Sequence, residues 1–229
     1  MFIEQPLSIL DLPQNIHFIQ LEYYYKDYKK QYFNYLSIPF PINLTDAVDK
    51  RCAEYLAGRY AATKALFMLT QQQLPVPANP DRSPCWPPGI IGSISHTDHH
   101  AVAMVAYDTQ HAFLGIDIEN WIDTAIANDI AKDILVNSEY TNLGQTGLAF
   151  NREITLIFSA KECLYKALYP SVKHFFGFDY ASVKAINIAT GTGIITLEQS
   201  LSAQWTAGCT FHIKFLIAAD HVLCLLWPT

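Results

Sequence analysis

Between positions 115 and 119 the chain reads Gly-Ile-Asp-Ile-Glu, and that alternation admits few conformations. On a strand, successive side chains point to opposite faces, so Ile116 and Ile118 pack behind while Asp117 and Glu119 project together from the other side. Two carboxylates held that close repel each other unless a proton or a cation lies between them. Oxygen ligands alone suit a hard divalent ion, and Mg²⁺ keeps waters and shares its remaining positions with substrate phosphates. The segment therefore predicts a strand with an apolar back and a front that calls for a phosphate-bearing ligand.

At 229 residues, 51% of them apolar, the chain is long enough to bury a substantial core as one large domain or two small ones. A net charge of -6 argues against a nucleic-acid binder that neutralises backbone phosphates over a wide surface, so phosphate recognition must be local. Cys52, Cys85, Cys163, Cys209 and Cys224 are odd in number and lack CxxC spacing, which predicts reduced thiols and a cytoplasmic protein. Met1 to Gln14 has no basic region and does not read as a signal peptide. Phe215 to Trp227, the most apolar stretch, is interrupted by Asp220 and His221 and too short to span a bilayer.

The proline-rich stretch Leu74 to Gly89 reads as a loop. Before it, spacing predicts a helix from about Thr45, as N-cap, to Thr70, with Cys52, Leu56, Tyr60, Thr63 and Phe67 as its stripe. Arg59 falls at the edge of that stripe and Arg51 further round. Strands are predicted over Ile90 to Ser95, Ala101 to Tyr107 and Phe113 to Glu119. Helices follow over about Ala125 to Leu135 and Asn151 to Leu168, the second halted by Pro170. The tail returns to strands over Val183 to Ile188, Thr192 to Leu197 and Phe211 to Trp227. Arg59 to Leu66 echoes Lys161 to Leu168, and each is followed downstream by an Asp-His pair, Asp98-His99 and Asp220-His221. A duplicated helix-and-sheet unit and chance account for that echo about equally well.

On the later helix Glu162 and Lys166 are four apart and share a face, whereas Lys161 points elsewhere. An isolated pair of this kind is usually a surface ion pair, and Ser159 with Glu162 also matches a capping box. The company of Asp117 and Glu119 changes the balance: a third carboxylate completes a metal site, and lysines can hold a diphosphate. The cluster Gly92 to His100 carries His96, His99 and His100, but on a strand and turn His96 and His100 share no helix face, which weighs against zinc. Ser93, Ser95 and His96 suit hydrogen bonds to a phosphate, the plain alternative being a satisfied turn histidine. The tyrosine-rich segment Glu22 to Tyr35 sets three lysines against two acids, so it reads as partly buried and amphipathic rather than as a platform for single-stranded nucleic acid.

Taken in order, these clusters resemble one family, the large monomeric 4′-phosphopantetheinyl transferases. Arg51-Cys-Ala-Glu54-Tyr-Leu-Ala-Gly58-Arg59 is similar to that family's R-x-x-E-F-L-A-G-R helix, and Pro84 to His96 to its P-x-W-P-x-G-x-x-G-S-I-S-H segment. Gly115 to Glu119 resembles its metal motif, Phe158 to Pro170 its S-x-K-E-x-x-x-K helix, and Phe175 to Phe178 the aromatic stretch after it. The resemblance implies transfer of the phosphopantetheine arm of coenzyme A to a serine of an apo acyl or peptidyl carrier protein, with release of adenosine 3′,5′-bisphosphate and a place in siderophore or other nonribosomal peptide synthesis. It implies Mg²⁺ held by Asp117, Glu119 and Glu162, with Lys161 and Lys166 at phosphate and Arg51, Arg59, Ser95 and His96 at the 3′-phosphate and adenosine end. Glu162, alone or through a water, becomes the base for the carrier serine and Lys166 the acid for the leaving group, while Arg82 is a weaker coenzyme A contact. Cys163 stands where the family usually has alanine or serine.

The fold so implied is α+β and pseudo-dimeric: halves at about 1 to 112 and 113 to 229 related by a pseudo-twofold axis, the active site between them, in a monomer with neither nucleic-acid nor membrane partners. One rival is a catalytically silent module that binds coenzyme A or a carrier. Another is a different Mg²⁺-dependent phosphotransferase, against which Arg59, the Ser95-His96 pair and the lack of a Walker loop speak.

Overall fold

The structure, a computed structural model, describes residues 2–4 and 12–228, so most of the segment read for a signal peptide lies outside the described residues. The chain divides into two compact units, Met1–Leu114 and Gly115–Thr229. Both mix helix and sheet, as an α+β chain should.

In the first unit β1 (Phe2–Glu4), β2 (His17–Tyr23), β3 (Ile90–His96) and β4 (His100–Tyr107) form an antiparallel sheet in the order β1-β2-β4-β3. A short α1 (Tyr32–Tyr35) precedes the long α2 (Asp49–Thr70), which packs on that sheet. The contact is close because both surfaces are built of small residues: Ala53, Ala57, Ala61 and Ala65 on α2 and Ala101 and Ala103 on β4 are all buried. Leu21, Leu66 and Val105 fill the space between. The Glu22 to Tyr35 segment is partly buried, with Tyr23 and Phe33 in the core.

The helix starts later than Thr45. Residues Ile42–Leu44 form a 3-10 turn whose carbonyl of Ile42 accepts from Thr45 Oγ1 at 2.7 Å, so the hydroxyl expected to cap α2 closes the turn before it. Val48, in extended conformation, stands at the N-cap without a side-chain bond. At the other end Gln71 adopts the left-handed conformation (φ 58°) that commonly terminates helices, and the proline-rich loop begins.

The second unit has β5 (Gly115–Asn120), α3 (Thr124–Ile134), α4 (Asn137–Tyr140), α5 (Phe150–Val172), β6 (Ala181–Asn187), β7 (Thr192–Leu197), β8 (Thr210–Ile217) and β9 (His221–Leu226). Its antiparallel sheet runs β5-β9-β8-β7-β6, and α5 packs on β5 and β9. Asp123 caps α3 by accepting from Ala125 N at 2.8 Å. The expected stop at Pro170 does not occur. Pro170 stands in the last turn, where the lost N–H and the crowding of one carbonyl do not stop the helix, and α5 runs to Val172 before left-handed Lys173 (φ 59°) ends it. Residues 211 to 227, read as one strand, split into β8 and β9 around a turn where Ala218 N donates to His221 O.

The internal echo has a structural counterpart in each unit. Arg59 and Lys161 both sit on the long helix, while Asp98-His99 and Asp220-His221 both mark a hairpin turn, β3–β4 and β8–β9. Among the described residues no helix is long and apolar enough to cross a membrane.

Candidate active site

Gly115 sets how near α5 comes to β5. A Cβ built there would lie 2.2 Å from the Cys163 carbonyl oxygen and 2.9 Å from Ala167 Cβ, so only glycine allows the helix to lie this close. Because side chains alternate, Asp117 and Glu119 leave the strand on the same face as Gly115, toward α5. There Asp117 is 1% exposed, accepting Ser159 Oγ at 2.8 Å on one oxygen and Lys166 Nζ at 2.5 Å on the other. Glu119 and Glu162, both half-buried, complete the group.

Electrostatics describe a site short of positive charge. Burial pushes the Glu119 carboxyl up to about 8, Asp117 and Glu162 adding to the rise and Lys166 opposing it. Glu162 is raised by burial and by Asp117, again against Lys166. Lys166 is raised in spite of burial, because Asp117 and then the two glutamates hold its proton. Among the described residues one ammonium faces three carboxylates, which leaves an excess of negative charge, and a cluster of oxygen donors short of positive charge suits a hard divalent cation. Asp117, Glu119 and Glu162 thus offer oxygen donors of the kind that suits a hard divalent cation such as Mg²⁺. Behind them Cys163 and Cys224 are wholly buried, and burial raises both thiols, which makes them inert packing.

Lys161 does something else. Its Nζ donates to Ile134 O at 2.7 Å, to Glu139 Oε2 at 2.7 Å and to Phe178 O at 3.1 Å, which uses all three of its N–H groups. Glu139, 2% exposed, also accepts Val136 N and Val183 N, each at 2.8 Å. The phosphate contact expected of Lys161 is therefore corrected: the ammonium is a buried tie joining α5 to the end of α3, to α4 and to the 3-10 turn that precedes β6. Sequence reading missed Glu139, which lies in a short helix without periodicity, and it weighed Ser159 only as a cap. Ser159 lies wholly buried in mid-helix, nine residues into α5, and serves Asp117 instead.

A cavity of about 240 Å³ opens beside Glu162, walled by Tyr165, Phe175, Phe176 and Phe178. Phe175 is 80% exposed, whereas Phe176 is buried, its ring 4.9 Å from that of Tyr165.

In the first unit Arg51 Nη1 donates to His96 Nε2 at 3.3 Å and to Glu54 Oε2 at 3.2 Å. Gly58 lets β3 run close to α2: a Cβ built there would lie 3.0 Å from Ile94 Cγ2 and 4.0 Å from His96 Cδ2. Arg59 is 6% exposed, with its guanidinium 4.8 Å from the Tyr55 ring centre and its Nε, also buried, without a partner. An orphaned guanidinium N–H in a buried position is what an absent anionic ligand would leave behind. Two expected contacts are not brought to this group. Strand alternation turns Ser95, which is buried, to the face opposite His96. Arg82 is exposed on a turn with left-handed backbone (φ 70°), its N–H bonded to Asn79 O at 2.8 Å. His96 and His100 end β3 and begin β4, so they share no helix face for zinc.

Comparison with known proteins matches residues 41–106 to the 4′-phosphopantetheinyl transferase N-terminal domain and residues 113–225 to the 4′-phosphopantetheinyl transferase superfamily. The enterobactin synthase component D of Salmonella austin is 37% identical over 200 residues, covering 84% of this chain and 81% of that protein. The 4′-phosphopantetheinyl transferase Npt of Nocardia iowensis is 27% identical over 188 residues, covering 79% and 83%. The match to enterobactin synthase component D of Salmonella typhi, 37% identical over 152 residues, spans 66% of this chain and 62% of that protein. The two domain matches, the aligned length and the carboxylate cluster converge on one assignment: this chain belongs to the 4′-phosphopantetheinyl transferase superfamily.

Proposed function

We propose that this chain transfers the 4′-phosphopantetheine arm of coenzyme A to a serine hydroxyl of an apo acyl or peptidyl carrier protein, releasing adenosine 3′,5′-bisphosphate. The observation that carries the reading is Asp117, Glu119, Glu162 and Lys166 gathered on the shared face of β5 and α5, with negative charge in excess. Mg²⁺ held by the three carboxylates would neutralise charge on the coenzyme A diphosphate.

The chain's own groups supply the proton steps. Glu162, directly or through a water, accepts the proton of the carrier serine as its oxygen attacks the phosphorus that bears pantetheine; the raised carboxyl suits a base that must hold that proton. The bond between that phosphorus and the bridging oxygen breaks, and Lys166, whose proton Asp117 holds in place, is positioned to protonate the departing adenosine 3′,5′-bisphosphate. The aromatic cavity beside Glu162 suits the arm, which is mostly methylene and amide. Arg51, His96 and Arg59 serve the 3′-phosphate and adenosine end, since guanidinium forks match a dianionic phosphate and Arg59 Nε wants an acceptor.

The relatives named enterobactin synthase component D support a place in siderophore synthesis; action as a cytoplasmic monomer is part of the same proposal. Incubating the chain with coenzyme A, Mg²⁺ and a panel of purified apo carriers is expected to add the mass of the arm to at least one of them. No gain on any carrier, with the chain folded, would refute transfer and leave the silent binding module.

A further inference from the structure

A second cavity, also of about 240 Å³, lies along a different face of α5, where Glu139, Glu153 and Ile157 meet Asn142, Gln145 and Thr146 of the preceding loop and residues 183–186 of β6, the edge strand of its sheet. Glu153 is 2% exposed, yet among the described residues its carboxylate accepts one hydrogen bond, from Gly144 N to Oε2 at 2.8 Å. Glu153 lines the cavity, and Oε1 has no hydrogen-bond donor among the described residues. A buried carboxylate is costly without a cation or full hydrogen bonding, and the basic residues around this one are committed elsewhere. Lys161 holds Glu139, Lys184 on the cavity wall pairs with Glu198, and Arg152 stacks on Trp121 and donates to Ala219 O. Position in the first turn of α5 offsets part of the charge but gives Oε1 no donor.

The lining favours one kind of cation. A hydrated metal ion would want several oxygen ligands, whereas Ile157, Val183 and Ile186 form an apolar wall beside a single free carboxylate oxygen and neutral amides. An ammonium head on a short alkyl stem satisfies both halves. We propose that this cavity is a binding site for a primary alkylamine, its ammonium on Glu153 Oε1 and the side-chain oxygens of Asn142 or Gln145, and its stem along Ile157 and Val183. Glu139 lines the same cavity and anchors Lys161, the residue before Glu162, so an occupant bears on the seat of the carboxylate cluster.

Binding there requires neither carrier nor coenzyme A, so its test is independent of the transfer reaction. The full chain, labelled with nitrogen-15, is titrated with butylammonium chloride, and separately with 1-butanol and with sodium chloride. Expected are saturable shifts of the amides of residues 142–146 and 183–186 with butylammonium alone, at a Kd on the order of 1 mM, the reach of so small a ligand. Glu153→Gln, which keeps an acceptor for Gly144 N, should weaken that binding at least about tenfold. Equal shifts with butanol, shifts elsewhere on the surface, no saturation, or unchanged affinity in Glu153→Gln would each overturn the proposal. If the variant does not fold, the comparison of butylammonium with butanol on the wild-type chain decides alone.

Discussion

Gly115→Ala isolates the fit between β5 and α5 without touching a charged group. The added methyl would sit 2.2 Å from the Cys163 carbonyl oxygen. Carbon and oxygen settle no closer than about 3.3 Å, so the helix must withdraw by about 1 Å. Overpacking of this kind costs about 1–3 kcal/mol, against about 0.4–1 kcal/mol gained from a stiffer unfolded chain at a backbone angle that alanine tolerates. The net loss of about 1–2 kcal/mol corresponds to a fall of roughly 2–8 °C in Tm for a chain of this size. Activity should fall further than stability does. Glu162 and Lys166 ride on α5 while Asp117 and Glu119 stay on β5, and a misplacement of about 1 Å in a catalytic set can cost about a hundredfold. Thermal denaturation and kcat/KM for carrier loading measure the two effects side by side. Gly208→Ala is the control: with φ 89° and no atom within 4 Å, it pays only backbone strain of about 1 kcal/mol and should leave kcat/KM unchanged. A Gly115→Ala protein that melts and turns over like wild type would refute the claim that this contact sets the site.

Asp117→Asn should reduce transfer to background while the chain stays folded, and the rise in Tm expected when Mg²⁺ is added to the wild type should be absent from the variant; no rise in the wild type, or an equal rise in both, would remove the metal from Asp117. Lys161→Met should destabilise by about 3–5 kcal/mol in urea denaturation because Glu139 keeps a buried charge without its cation, and a second change, Glu139→Gln, should recover most of that loss. A single variant within about 1 kcal/mol of wild type, inside ordinary surface variation, would mean the tie is not structural. Arg59→Lys removes the fork and the Nε–H, so KM for coenzyme A should rise about tenfold with kcat unchanged. A fall in kcat at constant KM would instead place Arg59 at the reacting phosphate.

Much of the fold was legible where a pattern repeats over several residues. The alternation at 115 to 119 located β5, and helical spacing located α2, α3 and α5. Errors fell where one residue stood for a boundary. Thr45 has a good capping side chain, but its local partner is the Ile42 carbonyl, three residues back, and a competing short-range bond of this sort leaves no trace in periodicity. An interior proline breaks a helix, which makes Pro170 look like a stop; two residues before an end that a left-handed Lys173 makes anyway, it disturbs little.

Two lysines of one motif show what spacing carries and what it omits. Five residues at 100° each separate Lys161 from Lys166 by 140° around α5, so the two cannot serve one ligand equally, and that much follows from the sequence. Which of them meets the carboxylates depends on where β5 lies, and Gly115 beside Asp117 points to the Lys166 side because only that face can come close enough. The fate of Lys161 rests on Ile134, Glu139 and Phe178, drawn from a helix end, a one-turn helix and a 3-10 turn. None of these segments has a period to read. A lysine buried among three protein acceptors and a lysine that joins a cluster of carboxylates are the same letter in the same motif; only the chain that folds over one of them makes the difference.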